Sequence, residues 1–131
     1  MGQTRGRVTV VEFLNPAGFA PPLHRHTDED EMFFILSGTA EFRCGQQRFA
    51  AGPGDFVLLP VGLPHTFLVS PDAPLRTLQI TTPSGFEAFA AEVGGPAGEH
   101  RLPDVGPVDP GALVSAAARH TIEILGPPPT Y

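Results

Sequence analysis

The sequence predicts an all-β fold, a sandwich or a barrel. Two observations predict it. Short apolar segments of strand length, rich in Val, Ile, Phe and Thr, recur through the first two thirds of the chain. Glycine and proline, 15 and 16 of 131 residues, stand between them as punctuation rather than massed in one block. Many short strands at close, regular spacing indicate a closed or double-layered β architecture.

Taken in order, the predicted strands are 7–14, 32–36, 39–43, 47–50, 56–59, 65–69 and 75–81. Gly38, Cys44-Gly45, Gly52-Pro53-Gly54 and Gly62-Leu63-Pro64 separate them as turns. After residue 82 the character changes. Ser84-Gly85-Phe86-Glu87 has the spacing of a capping box, and Phe86, Phe89, Ala90 and Val93 follow as one apolar stripe at helical spacing, stopped by Gly94. Residues 94–108 read as a proline-rich linker. Asp109-Pro110 is an N-cap and N1 pair for a second helix to about His120, and 121–125 suits a last short strand. Two short helices bury little core by themselves. The chain 1–131 therefore reads as one domain: a β-barrel core over 1–82, with a helical, proline-rich extension over 83–131 packing on it or on a second copy.

The formal net charge is −6 and the pI about 5.2. This argues against nucleic-acid and anionic-membrane partners, which need a basic patch. No run approaches the roughly 18 apolar residues of a membrane span, and the N-terminus shows no signal peptide. Cys44 is the single cysteine, so no intramolecular disulfide forms, which fits a reducing, cytoplasmic setting.

Chemistry concentrates at four residues: His24, His26, Glu31 and His65. In a strand, positions i and i+2 share a face, so His24 and His26 point inward while Arg25 points out. Glu31 opens the next strand and shares a face with Phe33 and Ile35, and Thr27–Asp30 becomes the tight link between the two. His65 comes from elsewhere in the sheet. Three imidazoles and a carboxylate suit one divalent transition ion (Fe, Mn, Ni, Co, Cu or Zn) better than Mg or Ca. Coordination positions left open on such an ion would take water, oxygen or substrate.

The full spacing is Gly18-x5-His24-x-His26-x4-Glu31-x6-Gly38, then Gly54-x5-Pro60-x-Gly62-x2-His65. It resembles both motifs of the cupin superfamily at all but one defining position; Val69 stands where the family often has Asn. The resemblance implies a double-stranded β-helix, a jelly-roll barrel holding one metal on His24, His26, Glu31 and His65. The segment 82–94 and the closing Ile122-Glu123-Ile124-Leu125-Gly126-Pro127-Pro128-Pro129 are similar to small cupins of the quercetin 2,3-dioxygenase-like group. That implies a metal-dependent oxygenase acting on an enolisable or phenolic small molecule, with Glu31 as both ligand and catalytic base. A metal-dependent isomerase, cyclase or lyase that does not use O2, and a noncatalytic small-ligand or metal-binding module, are the alternatives.

Phe33, Ile35, Phe67 and Val69 alternate with the ligands and line the barrel, as core or as an apolar substrate pocket. Gln79 shares a strand face with Thr77 and Thr81 and is placed either toward substrate or toward the surface. Met32, Phe34 and Leu36 face outward and are apolar, so something covers them, the tail helices or a second copy of the chain, and a homodimer is the expectation. Asp28, Glu29 and Asp30 read as a solvated rim, and Cys44 as a turn residue. His100, in the linker, and His120, at a helix end, lack ligand spacing.

Overall fold

In a computed structural model, residues 5–84, 115–117, 119 and 122–129 are described. They form nine strands: β1 (Thr9–Asn15), β2 (Leu23–His26), β3 (Asp30–Ser37), β4 (Ala40–Cys44), β5 (Gln47–Ala51), β6 (Phe56–Leu59), β7 (His65–Val69), β8 (Leu75–Thr82) and β9 (Ile122–Gly126). Every pairing is antiparallel. One sheet has the order β1-β8-β3-β6 and the other β5-β4-β7-β2-β9. The two face each other, as in a double-stranded β-helix. Among the described residues no helix is long and apolar enough to cross a membrane.

Alternation decides what lies between the sheets. In β3, Glu31, Phe33 and Ile35 are buried, while Phe34, Leu36 and Ser37 are exposed. In β6, Val57 and Leu59 face in while Phe56 and Leu58 face out. The core is Phe33, Ile35, Phe42, Leu59, Phe67, Val69 and Leu75 with smaller neighbours. Phe33, Phe42 and Phe67 pack ring to ring at 5.5 to 5.7 Å between centroids. These rings fill the barrel on the interior side of the sheets that also carry the four candidate ligands.

Glycines shape the connections where a side chain would not fit. Gly38 has φ +84°, and a Cβ there would overlap the Pro74 carbonyl oxygen. Gly62, at φ +82°, turns its N–H onto the His26 carbonyl at 2.8 Å. Beside it, the Val61 N–H donates to Asp30 Oδ1 at 2.8 Å. The loop before β7 is thus fastened to both ends of the link between β2 and β3.

Several expectations are corrected. Cys44 is not a turn residue: it closes β4, is buried, and the turn is Gly45-Gln46. The first strand starts at Thr9, and the strand after the link takes in Asp30 and Glu31. The last strand exists and pairs along β2, with Arg25 and Glu123 in an exposed ion pair at 2.7 Å. Residues 115–117 and 119 are helical, inside the second predicted helix. The first predicted helix from Gly85 onward, the linker, His100 and His120 lie outside the described residues.

Candidate metal centre

β2 and β7 run side by side with His24 directly opposite His65, which places the two imidazole centroids 4.5 Å apart. His26, two residues on, shares their face and stacks nearly parallel to His65 at 5.4 Å. Glu31 reaches across from β3 in the opposite sheet. One ligand atom from each of the four side chains lies within 4.8 Å of the others, and three of the four residues are buried. The four side chains that the cupin-like spacing picks out thus come together.

The imidazoles are oriented from behind. His24 Nδ1 lies 2.7 Å from the Pro22 carbonyl and His65 Nδ1 3.3 Å from that of Leu63. A carbonyl only accepts, so in the tautomer with the proton on Nδ1 both rings would turn an Nε2 lone pair to a bound ion. His26 Nδ1 donates to Glu29 Oε1 at 2.8 Å. The Nε2 atoms of His26 and His65 face the same oxygen, Glu31 Oε2, at 2.7 and 3.0 Å. Lone pairs aimed at a carboxylate oxygen repel unless a cation, proton or metal, lies among them. This donor set fits a divalent transition ion.

The charges follow from the same geometry. Burial, and then neighbouring His65, lower the pKa of His24 from 6.5 to about 4, so it is a neutral ligand at pH 7. Burial also opposes charge on His26, but Glu29 and Glu31 outweigh it and raise its pKa to about 9. Burial alone would raise the Glu31 carboxyl; hydrogen bonds with His26 and His65 win and hold it well below the usual carboxylate range. In the metal-free chain a proton at His26 supplies the cation the cage lacks.

One contributor, Glu29, escaped the sequence reading, and a second, Gln79, was a pocket candidate whose contact with Glu31 was not foreseen. Glu29 is no part of a solvated rim: it is 5% exposed and backs His26. Asp28 is exposed as expected, and Asp30 is half-buried, holding Val61. Gln79 faces inward and donates from Nε2 to Glu31 Oε1 at 2.6 Å, which turns Oε2 toward the imidazoles. Thr77 and Thr81 flank it on the interior face of β8. Their hydroxyls are buried and meet no hydrogen-bond partner among the described residues. Thr81 pairs with Glu31 across the sheet. Phe33, Ile35, Phe67 and Val69 lie in the core cluster. Burial pushes the Cys44 thiol up, away from nucleophilic use.

A family model for the cupin domain matches residues 10–81. The chain belongs to the cupin family. This cupin is 49% identical over 51 residues to the dimethylsulfoniopropionate lyase DddQ of Ruegeria pomeroyi, a match covering 38% of this chain and 25% of that one. It is 31% identical over 67 residues to quercetin 2,3-dioxygenase of Bacillus subtilis, covering 50% and 20%. The cupin thus spans a minor part of either relative. The crystal structure of DddQ superposes with a TM-score of 0.53 at 35% identity, over 59% of this chain and 39% of that one. KdgF from a Halomonas species superposes at 0.59 with 16% identity, over 63% and 74%, which is a likeness of fold alone.

Proposed function

We propose that this cupin is a mononuclear metal enzyme of the quercetin 2,3-dioxygenase type, an oxygenase acting on a small enolisable or phenolic substrate. The observation that carries the metal reading is the clustering of three imidazoles and Glu31, with the His26 and His65 Nε2 atoms converging on Glu31 Oε2 and each ring backed by an acceptor at Nδ1. His24, His26, Glu31 and His65 would hold the ion. When bound, it would polarise a substrate oxygen and acidify its hydroxyl. Glu31 is then the nearest proton acceptor to that hydroxyl. A carboxylate is a weak base. It accepts a proton only from an acidic hydroxyl, which favours phenols and enols over simple alcohols. Gln79 keeps the carboxylate aimed, and the phenylalanines of the barrel keep water out. The 31% identity to a quercetin dioxygenase supports the reaction class.

A second reading has its own support. The 49% identical stretch belongs to a lyase, and the same cage would serve a metal-assisted elimination or isomerisation without O2. The test is turnover of metal-loaded protein on a panel of flavonols, simple phenols and β-dicarbonyl compounds, followed by an oxygen electrode and product analysis. Oxygen uptake stoichiometric with substrate loss is expected. Turnover at full rate under argon would sink the oxygenase and favour the lyase or isomerase reading. Metal binding without turnover would leave a binding module.

A further inference from the structure

The three imidazoles are not backed alike. His24 and His65 turn Nδ1 to neutral carbonyls. His26 turns it to a carboxylate, Glu29 Oε1, at 2.8 Å, with the two side chains only 1% and 6% exposed. A carboxylate draws the Nδ1 proton toward itself and leaves more electron density at Nε2, so the ring becomes a stronger metal donor. We propose that Glu29 is a positioning residue of the metal centre, acting through His26 to make that imidazole the strongest donor of the three. This rests on the metal reading above and adds to it a residue outside the four-ligand set.

Two further observations support it. Glu29 lies in a three-residue link whose neighbours are anchored: the His26 carbonyl accepts from the Gly62 N–H, and the Asp30 carboxylate from the Val61 N–H, each at 2.8 Å. Its place behind His26 is therefore built by the fold. The adjacent Thr27 and Asp28 are exposed, so the chain had a cheap solvent-facing option and Glu29 alone is turned in. Burying a carboxylate is costly unless a strong donor meets it. Charge gives the other support. With neutral imidazoles the cage and its backing carry two negative charges, on Glu31 and Glu29, which one divalent ion balances.

The test compares wild type, Glu29→Gln, Asp28→Asn and His26→Ala. Each metal-free protein is titrated with Co2+ and Zn2+ against a competing chelator, its thermal midpoint is recorded, and the visible spectrum of the Co2+ adduct is taken at saturation. Gln keeps the shape and an acceptor oxygen but removes the charge. Glu29→Gln is expected to weaken binding about 10–100-fold and to shift the Co2+ bands. Asp28→Asn, with the same change in net charge, should leave both unchanged. If His26→Ala loses the ion while Glu29→Gln keeps wild-type affinity and spectrum, the metal reading stands and the role given to Glu29 is wrong. Equal weakening in Asp28→Asn and Glu29→Gln would reduce the effect to bulk charge and also overturn it. Full-stoichiometry metal in His26→Ala would overturn both. Should Glu29→Gln lower the metal-free midpoint, the band positions at saturation decide, because they do not depend on stability: a shift supports the proposal and identity with wild type rejects it.

Discussion

At the residue scale, the centre divides into side chains legible in the sequence and side chains that were not. His24, His26 and Glu31 lie within eight residues, and strand parity alone puts the histidines on one face. His65 is distant, and it was the resemblance of the glycine and proline spacing before it to the second cupin motif that implied its place. Glu29 and Gln79 carry no such mark. Glu29 looks like its exposed neighbours, and Gln79 meets Glu31 only because β8 pairs with β3. Three predictions belong here. Gln79→Leu removes the donor on Glu31 Oε1 and should weaken metal binding by about tenfold or more, read by chelator competition; unchanged affinity would show that Glu31 needs no such anchor. Thr81→Val replaces a buried hydroxyl that has no partner among the described residues, so it should stabilise the substrate-free chain by about 1 kcal/mol, read from denaturant midpoints. A loss of stability would mean that the hydroxyl is already satisfied, for instance by water. The pH dependence has a definite sign. The folded pKa of His26 is raised above 6.5, so its contribution to metal-free stability is complete below pH 6.5 and is lost as pH rises through about 9. Glu31 is lowered, so its contribution holds above its ordinary 4.5 and is lost only in stronger acid. Metal must displace the His26 proton, whereas His24, at about 4, has none to give at neutrality. Binding at pH 7 should therefore release about one proton and tighten about tenfold per pH unit up to roughly pH 9. Calorimetry in buffers of different ionisation enthalpy measures that count, and a value of zero would mean that His26 is neutral before metal arrives.

At the scale of elements, the strands were legible because each is short, β-branched or aromatic, and bounded by glycine or proline. The pairing order was not, because register depends on contacts far apart in sequence. β9 is the clearest case. Residues 121–125 suggested a last strand, yet only the structure shows it lying along β2, opposite the two candidate ligand histidines: Ile124 faces His24 and Ile122 faces His26 across the ladder. β9 therefore braces the strand that carries two candidate ligands. Gly38 was read as a turn residue, and its physical reason is stricter than that: positive φ together with contact against the Pro74 carbonyl. Gly38→Ala meets both obstacles and should destabilise the fold by more than about 1 kcal/mol, seen as a lower thermal midpoint with metal absent. An unchanged midpoint would mean that the chain near Pro74 yields without cost.

At the scale of the whole molecule, the outer face of the sheet β1-β8-β3-β6 remains to be accounted for. Register sets its side chains in rows. Val10, Ile80, Met32 and Leu58 form one, and Glu12, Leu78, Phe34 and Phe56 the next. Val10, Phe56 and Leu58 are 57%, 59% and 53% exposed. The alternation of β3 made an apolar outer face legible in the sequence, but what covers it was not, because a partner leaves no periodicity of its own. Contiguous apolar surface of this kind marks an association site. We propose a second copy as the occupant, since an antiparallel sheet face can meet itself about a two-fold axis and closed dimers are the commonest assembly. The face lies on the opposite side of the sheet from Glu31, so disrupting it need not touch the metal centre. Phe34→Glu with Leu58→Lys should then convert a dimer to a monomer in light scattering while metal stoichiometry stays at one per chain. A wild type already monomeric at high micromolar concentration would exclude the second copy. Monomerisation accompanied by loss of the metal would mean that the association supports the barrel interior and that face and site are not independent.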